Sequence, residues 1–272
     1  MNFLNNTIIK NNKTIHYFKQ KILQTVNSIC PQKYKSKYNF SYYLDCIILV
    51  LKDITSWKSL GNILNSFKIN TISKYHFKTI YNVFLKWSSL CIFENTYNEL
   101  LLDKLTYNCH STIDLFIDST SINNKNGVED IAYGMNKKKK ISKISFICDK
   151  QKHALSVSIH KGNINDVKTL DISIDKLIPL KYRKINMICD KGYISKDKKQ
   201  ELKIKKINLI YPKRQNQKIK TTKYEKKKLK NRYIIEHLNQ RIKNYERIAL
   251  RKDKLNHTFL SNIYLALLLI SF

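Results

Sequence analysis

The sequence is poor in the residues that punctuate loops: of 272 residues, five are glycine and three proline. That scarcity excludes collagen-like and low-complexity linker readings. Acids are few as well, 20 Asp and Glu against 51 Lys and Arg, so the position of each one is informative. The six cysteines, Cys30, Cys46, Cys91, Cys109, Cys148 and Cys189, form no C-x-x-C pair, and the adjacent Cys109-His110 has no second half with which to bind zinc. Most sit in apolar runs, such as Ile147-Cys148 and Ile188-Cys189, and read as buried thiols of a reducing compartment. A long apolar run is missing too. The stretch Phe259 to Phe272 is 14 residues with Ser261 and Asn262 inside it, too short to cross a bilayer and long enough for a packed helix. The opening Asn2-Phe3-Leu4 leads directly into Asn and Lys, unlike a signal peptide. The expectation is a soluble, intracellular protein with no membrane partner, and not a secreted one.

What is present is apolar mass and positive charge. With 43% apolar residues against 26% charged, the chain can bury a core and is too hydrophobic for wholesale disorder. Its length suits one large domain or a small one joined to a medium one. The net charge of +31 opposes compaction by self-repulsion, and a polyanion such as nucleic acid is the partner that relieves it. A membrane surface is the rival, but its usual sign is one short basic amphipathic helix, whereas this charge runs along the whole chain. Drift toward A/T-rich codons accounts for part of the lysine excess. It does not account for the arginines, all six of which lie after residue 180, with Arg232, Arg241, Arg247 and Arg251 close together. The stretch Lys213 to Lys254 carries 16 basic and 4 acidic residues and is expected to supply much of the nucleic-acid contact, the alternative being a solvated charged face or a disordered loop at 213–228. Binding to duplex DNA should then depend steeply on salt.

Residues 1–110 read as helical. Tyr42 to Leu51 is an apolar block, after which Trp57, Leu60, Leu64 and Phe67, and then Phe77, Ile80, Tyr81, Phe84 and Trp87, recur at three- and four-residue steps. The short break at 68–72, with Ser73 as an N-cap, predicts helix, turn, helix, which serves either as a DNA reader or as a packing unit. Near residue 111 the period becomes strand-like. Strands are expected at 113–117, 141–148, 154–160, 185–189 and 207–211, helices at 166–177 and 194–205, then a long helix over about 227–249 and a last one at 258–270. This alternation predicts an α/β domain with a mixed sheet.

Carboxylates among apolar neighbours are costly unless a cation compensates. Asp118 ends Leu115-Phe116-Ile117 and Asp190 ends Met187-Ile188-Cys189, and both terminate strands expected inside the sheet, where α/β folds build sites. Asp149 reads as a hairpin tip beside Lys150-Gln151-Lys152, and Asp45 as a helix-surface or capping acid. Glu236 lies on the long helix. On a helical wheel Arg232, Lys243 and Arg247 share its side, while Ile234, Leu238, Ile242, Tyr245 and Ala249 take the other. A salt-bridged solvated face looks similar, but three carboxylates together suit a pair of Mg²⁺ ions that activate an attacking oxygen and stabilise a leaving one.

The patterns Ile-Asp118-Ser-Thr, Gly162-Asn163 with Asp166, Cys-Asp190-Lys-Gly192-Tyr193 and Arg232-x3-Glu236-x6-Lys243 together resemble the DDE transposases of insertion sequences. The resemblance covers 113–255, and more weakly 40–100. It implies an RNase H-like catalytic domain over 111–272 behind a helical, DNA-binding domain over 1–110. It further implies that Asp118, Asp190 and Glu236 are the catalytic, metal-binding triad for two Mg²⁺ or Mn²⁺ ions, with Asp118 bridging them. Arg232 and Lys243 are implied to contact phosphates at the element's end. Arg241, Arg247, Lys191 and Tyr193 are the further candidates for DNA contact. The activity expected is cleavage of element ends and joining of the 3′-OH to target DNA, by a homodimer assembled on double-stranded DNA wherever that DNA resides. A nuclease of the same core, or a decayed or regulatory DNA-binding protein, is the alternative. Two positions depart from the usual pattern: Leu229 stands where a Tyr often precedes the Arg by three residues, and Asn165 where His is common.

Overall fold

The computed structural model describes residues 13–29, 40–62, 77–105, 112–134, 139–179, 184–213 and 221–271. In chain order they form helices α1 (Lys13–Ile29), α2 (Phe40–Leu51), α3 (Phe77–Ser89) and α4 (Ile92–Leu105), then strands β1 (Thr112–Asn124), β2 (Ala132–Tyr133), β3 (Lys140–Cys148) and β4 (Ala154–Lys161). There follow α5 (Asp166–Asp175), β5 (Lys184–Ile188), α6 (Lys196–Ile204) and β6 (Ile207–Ile210), and finally α7 (Lys223–Leu229), α8 (Tyr233–Lys243), α9 (Glu246–Ala249), β7 (Leu250–Arg251) and α10 (Asn256–Ser271). Short 3-10 turns occupy Lys191–Tyr193 and Lys230–Arg232.

Two compact units emerge. One comprises the chain up to Leu100 with Tyr245–Ala249 and Asp253–Phe272, and the other comprises Leu101–Asn244 with Leu250–Lys252. This differs from a division at 110/111, because the C-terminal apolar run groups with the N-terminal helices. The reason is its circumference. Phe259, Ile263, Leu265, Leu267 and Leu268 are all buried, and a helix that is apolar all round needs cover on several sides. Within the helical unit α10 packs on α2 and α3, and Tyr264 donates its hydroxyl to Glu94 at 3.0 Å. The core there is aromatic, with Trp57 lying 5.2 Å from Tyr81 and 5.3 Å from Phe84 between ring centroids. Asp45, expected at a surface or cap, instead pairs with Lys19 of α1 in a poorly exposed position. The break at 68–72 and Ser73 lie outside the described residues. Of the described cysteines, Cys46, Cys148 and Cys189 are buried as expected, whereas Cys91 is exposed in the turn joining α3 to α4.

The second unit is built on a seven-stranded mixed sheet among the described residues. β3 pairs antiparallel with β1 on one side and with β4 and β2 on the other, while β5 runs parallel to β1 and β6 parallel to β5. Helices α5, α6 and α8 pack on the sheet, α5 against β3 and β4, α6 against β6, and α8 against β1 and β3. This is the mixed sheet flanked by helices expected of an RNase H-like core. The expected strands are all present, and β2 and β7, two residues each, are additional. β1 does not stop at residue 117. Its antiparallel partner β3 continues the ladder from Phe116 beside Cys148 to Asn123 beside Ile141, so Asp118 lies within the strand.

The long helix expected over 227–249 is broken. Thr222 and Glu225 form a reciprocal capping box that starts α7 earlier than apolar periodicity suggests. A 3-10 turn at Lys230–Arg232 then separates α7 from α8, and α8 ends at Lys243. Its buried residues Ile234, Ile235, Leu238, Asn239 and Ile242 form one face. Tyr245 and Ala249 belong to the next segment and not to that face.

Candidate active site

The sheet's register brings the two aspartates together. β1 and β5 pair in parallel with Phe116 beside Ile188. Two residues further along each chain stand Asp118, still within β1, and Asp190, just past the end of β5, close enough that the charge of Asp190 acts on Asp118. Asp190 precedes the 3-10 turn at Lys191–Tyr193, yet its carboxylate makes no capping bond there. A capping role therefore does not account for it.

The third carboxylate arrives from α8. Glu236 lies in the helix's first turn, 57% exposed at its side chain, and Arg232 one turn earlier joins it to the sheet. The guanidinium places Nη1 3.1 Å from Asp190 Oδ1 and Nη2 3.5 Å from Glu236 Oε1. Its field also reaches Asp118. Burial pushes the Asp118 carboxyl up to about 6, against the backbone hydrogen bond of Ser119 and the charge of Arg232, while neighbouring Asp166 and Asp190 raise it further. A carboxyl lifted by burial and by like charges in this way is a mark of a functional site.

The Asp190-Lys-Gly-Tyr segment is explained by packing. Tyr193 is 1% exposed, and its hydroxyl lies 2.8 Å from Ser119 Oγ, the residue after Asp118. Ser119 in turn meets Ser145 of β3 at 2.9 Å. The tyrosine expected to touch DNA is thus turned inward, and it ties the segment bearing Asp190 to the strand bearing Asp118. Gly192 is needed for close approach, since a Cβ there would lie 2.7 Å from Asp166 Oδ2. Asp166 is held from its other oxygen by Lys143 Nζ at 2.9 Å. Asn165, at the position where His is common, caps α5 by accepting from the Val167 amide at 3.2 Å.

The remaining expected DNA contacts divide. Lys191 and Arg241 are exposed and Lys243 is half-buried at the end of α8. Arg247 is different. It lies on α9 in the helical unit, 6% exposed, donating to Asp253 Oδ1 at 2.6 Å and packed over the Trp57 ring. The wheel placed it beside Glu236 only because it assumed an unbroken helix. Arg251 is also buried, bonded to Ser142 Oγ and the Glu129 carbonyl. The basic stretch 213–254 is therefore partly structural.

Three residues were not anticipated. Asn239 donates to Asp118 Oδ2 at 2.9 Å. Lys143 sits beside Asp166. Asp114, buried on β1, accepts from Asn186 at 2.8 Å, from Lys150 at 3.1 Å and from Lys228 of α7. Burial raises the Asp114 carboxyl, but these donors together hold it below the ordinary carboxylate value. Its signal was available, because Ile113-Asp114-Leu115 is an acid among apolar neighbours as much as Asp118 is. Asp149 behaves as expected of a hairpin tip, accepting from the His153 amide and ring.

As a donor set, Asp118, Asp190 and Glu236 offer only carboxylate oxygens, which fit a hard divalent cation such as Mg²⁺ or Mn²⁺. The mutual repulsion evident at Asp118 is what such a cation relieves. Among the described residues no three acidic, histidine or cysteine side chains already converge into a closed cluster, and the Arg232 guanidinium lies between Asp190 and Glu236. Among the described residues no helix is long and apolar enough to cross a membrane.

Residues 110–270 match the family described as a transposase DDE domain. No curated protein matches the chain significantly. Among solved structures, a synaptic complex of piggyBac transposase with hairpin DNA is similar over 94% of this chain and 72% of that one, at 11% identity and a TM-score of 0.43. A Mos1 mariner paired-end complex with Mn is similar over 75% and 68%, at 11% identity and a TM-score of 0.26. A Mos1 strand transfer complex is similar over 65% and 59%, at 12% identity and a TM-score of 0.23.

Proposed function

The chain belongs to the transposase DDE domain family, and from that premise we propose that its sheet-bearing unit cuts DNA at the ends of a mobile element and joins the freed 3′-OH to target DNA. The observation supporting this most directly is the grouping of Asp118 and Asp190 where parallel β1 and β5 run side by side, with Glu236 linked to Asp190 through Arg232. Asp118, Asp190 and Glu236 would hold two Mg²⁺ or Mn²⁺ ions. When bound, such ions lower the cost of forming the attacking oxygen and of releasing the departing one.

The chain's own residues do the rest. In the first step water attacks the phosphorus and the bond to the 3′ oxygen breaks, leaving a 3′-OH. In the second that hydroxyl attacks a target phosphodiester, so one P–O bond forms as one breaks and no external energy source is required. Arg232, within reach of two carboxylates, is placed to turn its fork onto a phosphate, and Lys243, Lys191 and Arg241 add contacts along the backbone. The exposed lysines of α7, among them Lys226 and Lys227, extend the same positive field. The helical unit serves as a DNA-binding domain, and two copies assemble on the DNA, in whichever compartment holds it.

The test uses DNA carrying the repeats that flank the chain's own gene, with Mg²⁺ or Mn²⁺. The parent protein should nick and join these ends. D118N, D190N and E236Q should each lose cleavage while still binding DNA, because each keeps its shape and removes a full ligand charge. E236Q cutting and joining at the parental rate would show the triad to be wrong, and ends cut but never joined would identify a nuclease of the same core.

A further inference from the structure

Asn239 lies three residues beyond Glu236 on α8, about one turn further along the same helix. Its position is otherwise apolar, since Ile235, Leu238 and Ile242 share the buried face of the helix. The side chain is 7% exposed. Its amide nitrogen donates to Asp118 Oδ2 at 2.9 Å, and its buried amide oxygen has no hydrogen-bond partner among the described residues. An unpaired buried acceptor costs stability, so packing alone would favour leucine here.

The chemistry of the amide explains why asparagine stands there. A lysine or arginine would also hold the Asp118 carboxylate, but it would cancel the charge that a cation needs. An amide orients one carboxylate oxygen and leaves the charge intact. The bond also spans the two elements that matter, because β1 carries Asp118 and α8 carries Glu236.

We propose that Asn239 is a positioning residue of this site: its hydrogen bond orients Asp118 and sets the approach of α8 to β1, so that Asp118 and Glu236 serve the same pair of divalent ions. The inference rests on the transposase reading, and it adds a residue absent from the R-x3-E-x6-K pattern. It makes a distinction that a merely structural role would not. Loss of positioning weakens ion binding and is overcome by more ion, as is general for groups that orient metal ligands. Loss of folded protein lowers activity at every ion concentration alike.

The experiment compares the parent with N239L, similar in size and apolar, and N239D, which keeps the shape but sets an acceptor against Asp118. Calorimetric titration with Mn²⁺ in the absence of DNA reads the ion affinity directly. Chemical denaturation reads stability, and end cleavage is followed across a series of Mn²⁺ concentrations. N239L should stay close to the parent in stability, because removing the unpaired amide oxygen offsets taking a donor from Asp118; it should bind Mn²⁺ roughly 10- to 100-fold more weakly, bind DNA normally, and regain cleavage as Mn²⁺ is raised. N239D should lose cleavage at limiting Mn²⁺ at least as far. If folded N239L, or N239D should the leucine variant not fold, cleaves at the parental rate at limiting Mn²⁺, the proposal is overturned while the transposase reading stands. A parent that neither binds Mn²⁺ nor cuts DNA overturns both.

Discussion

Replacing Asp118 by Asn should stabilise the protein above pH 6 in the presence of a chelator, the reverse of what most substitutions at poorly exposed sites do. The carboxyl has its pKa raised from 3.8 to about 6, chiefly by burial. Because the folded value lies above the unfolded one, the folded chain keeps a proton that the unfolded chain gives up. The stability linked to that proton is fully present below about pH 4, is lost as pH rises toward 6, and stays lost at higher pH. The interval from 3.8 to about 6 corresponds to about 3 kcal/mol at most. An asparagine keeps the shape and still accepts from Asn239, so a gain of about 1–3 kcal/mol is expected at pH 8 and almost none at pH 4. Urea denaturation of parent and D118N with EDTA at pH 4, 6 and 8 measures this difference. Added Mn²⁺ should then raise the parent's midpoint and leave that of D118N unchanged. A variant less stable than the parent at pH 8, or a difference that is flat from pH 4 to 8, would refute the reasoning, because Asp118 would then be neither strained by its surroundings nor held for a cation.

Y193F removes only the hydroxyl that meets Ser119; it should cost about 1 kcal/mol of stability and slow end cleavage, with DNA affinity unchanged in a filter-binding assay because the ring is buried. R247A leaves Asp253 buried without its guanidinium and should cost about 3–5 kcal/mol in denaturant, whereas R241A and K191A should leave stability within about 0.5 kcal/mol and weaken DNA binding instead. The affinity for duplex DNA should fall steeply between 50 and 200 mM salt, with a log–log slope that shrinks by about one for each phosphate-contacting lysine or arginine removed; a salt-independent affinity would remove the electrostatic basis of DNA recognition.

Much of the sheet was readable from local pattern. Alternation at 141–148 and 154–160, and the short apolar runs at 185–189 and 207–211, mark strands because each needs only its own period and the turn residues that bound it. Asp118, Asp190 and Glu236 stood out for a thermodynamic reason, since a carboxylate among Leu, Ile, Phe and Met must have something to offset its desolvation. The same criterion applies to Asp114, whose desolvation is offset by Lys150 and Lys228. The expected helix over 227–249 shows the limit of periodicity, because a wheel continues a helix through Arg232 and Asn244 where the chain in fact turns.

The amino-acid sequence by itself determined the α/β alternation of the sheet unit, the helical character of the described residues before 106, the basic charge that calls for a polyanion, and the chemical types of the site. These depend on residue identity and on neighbours within a few positions. Only the tertiary structure decided which side chains meet. Pairing of β1 with β5 brought Asp118 near Asp190 across 72 residues of sequence, and the docking of α8 on β1 brought Asn239 to Asp118. Burial turned Tyr193 and Arg247 from expected DNA contacts into interior groups. The C-terminal helix joined the N-terminal helices and not the sheet, because an apolar surface is attracted to whatever covers it best, and that choice depends on the whole fold and on no local signal.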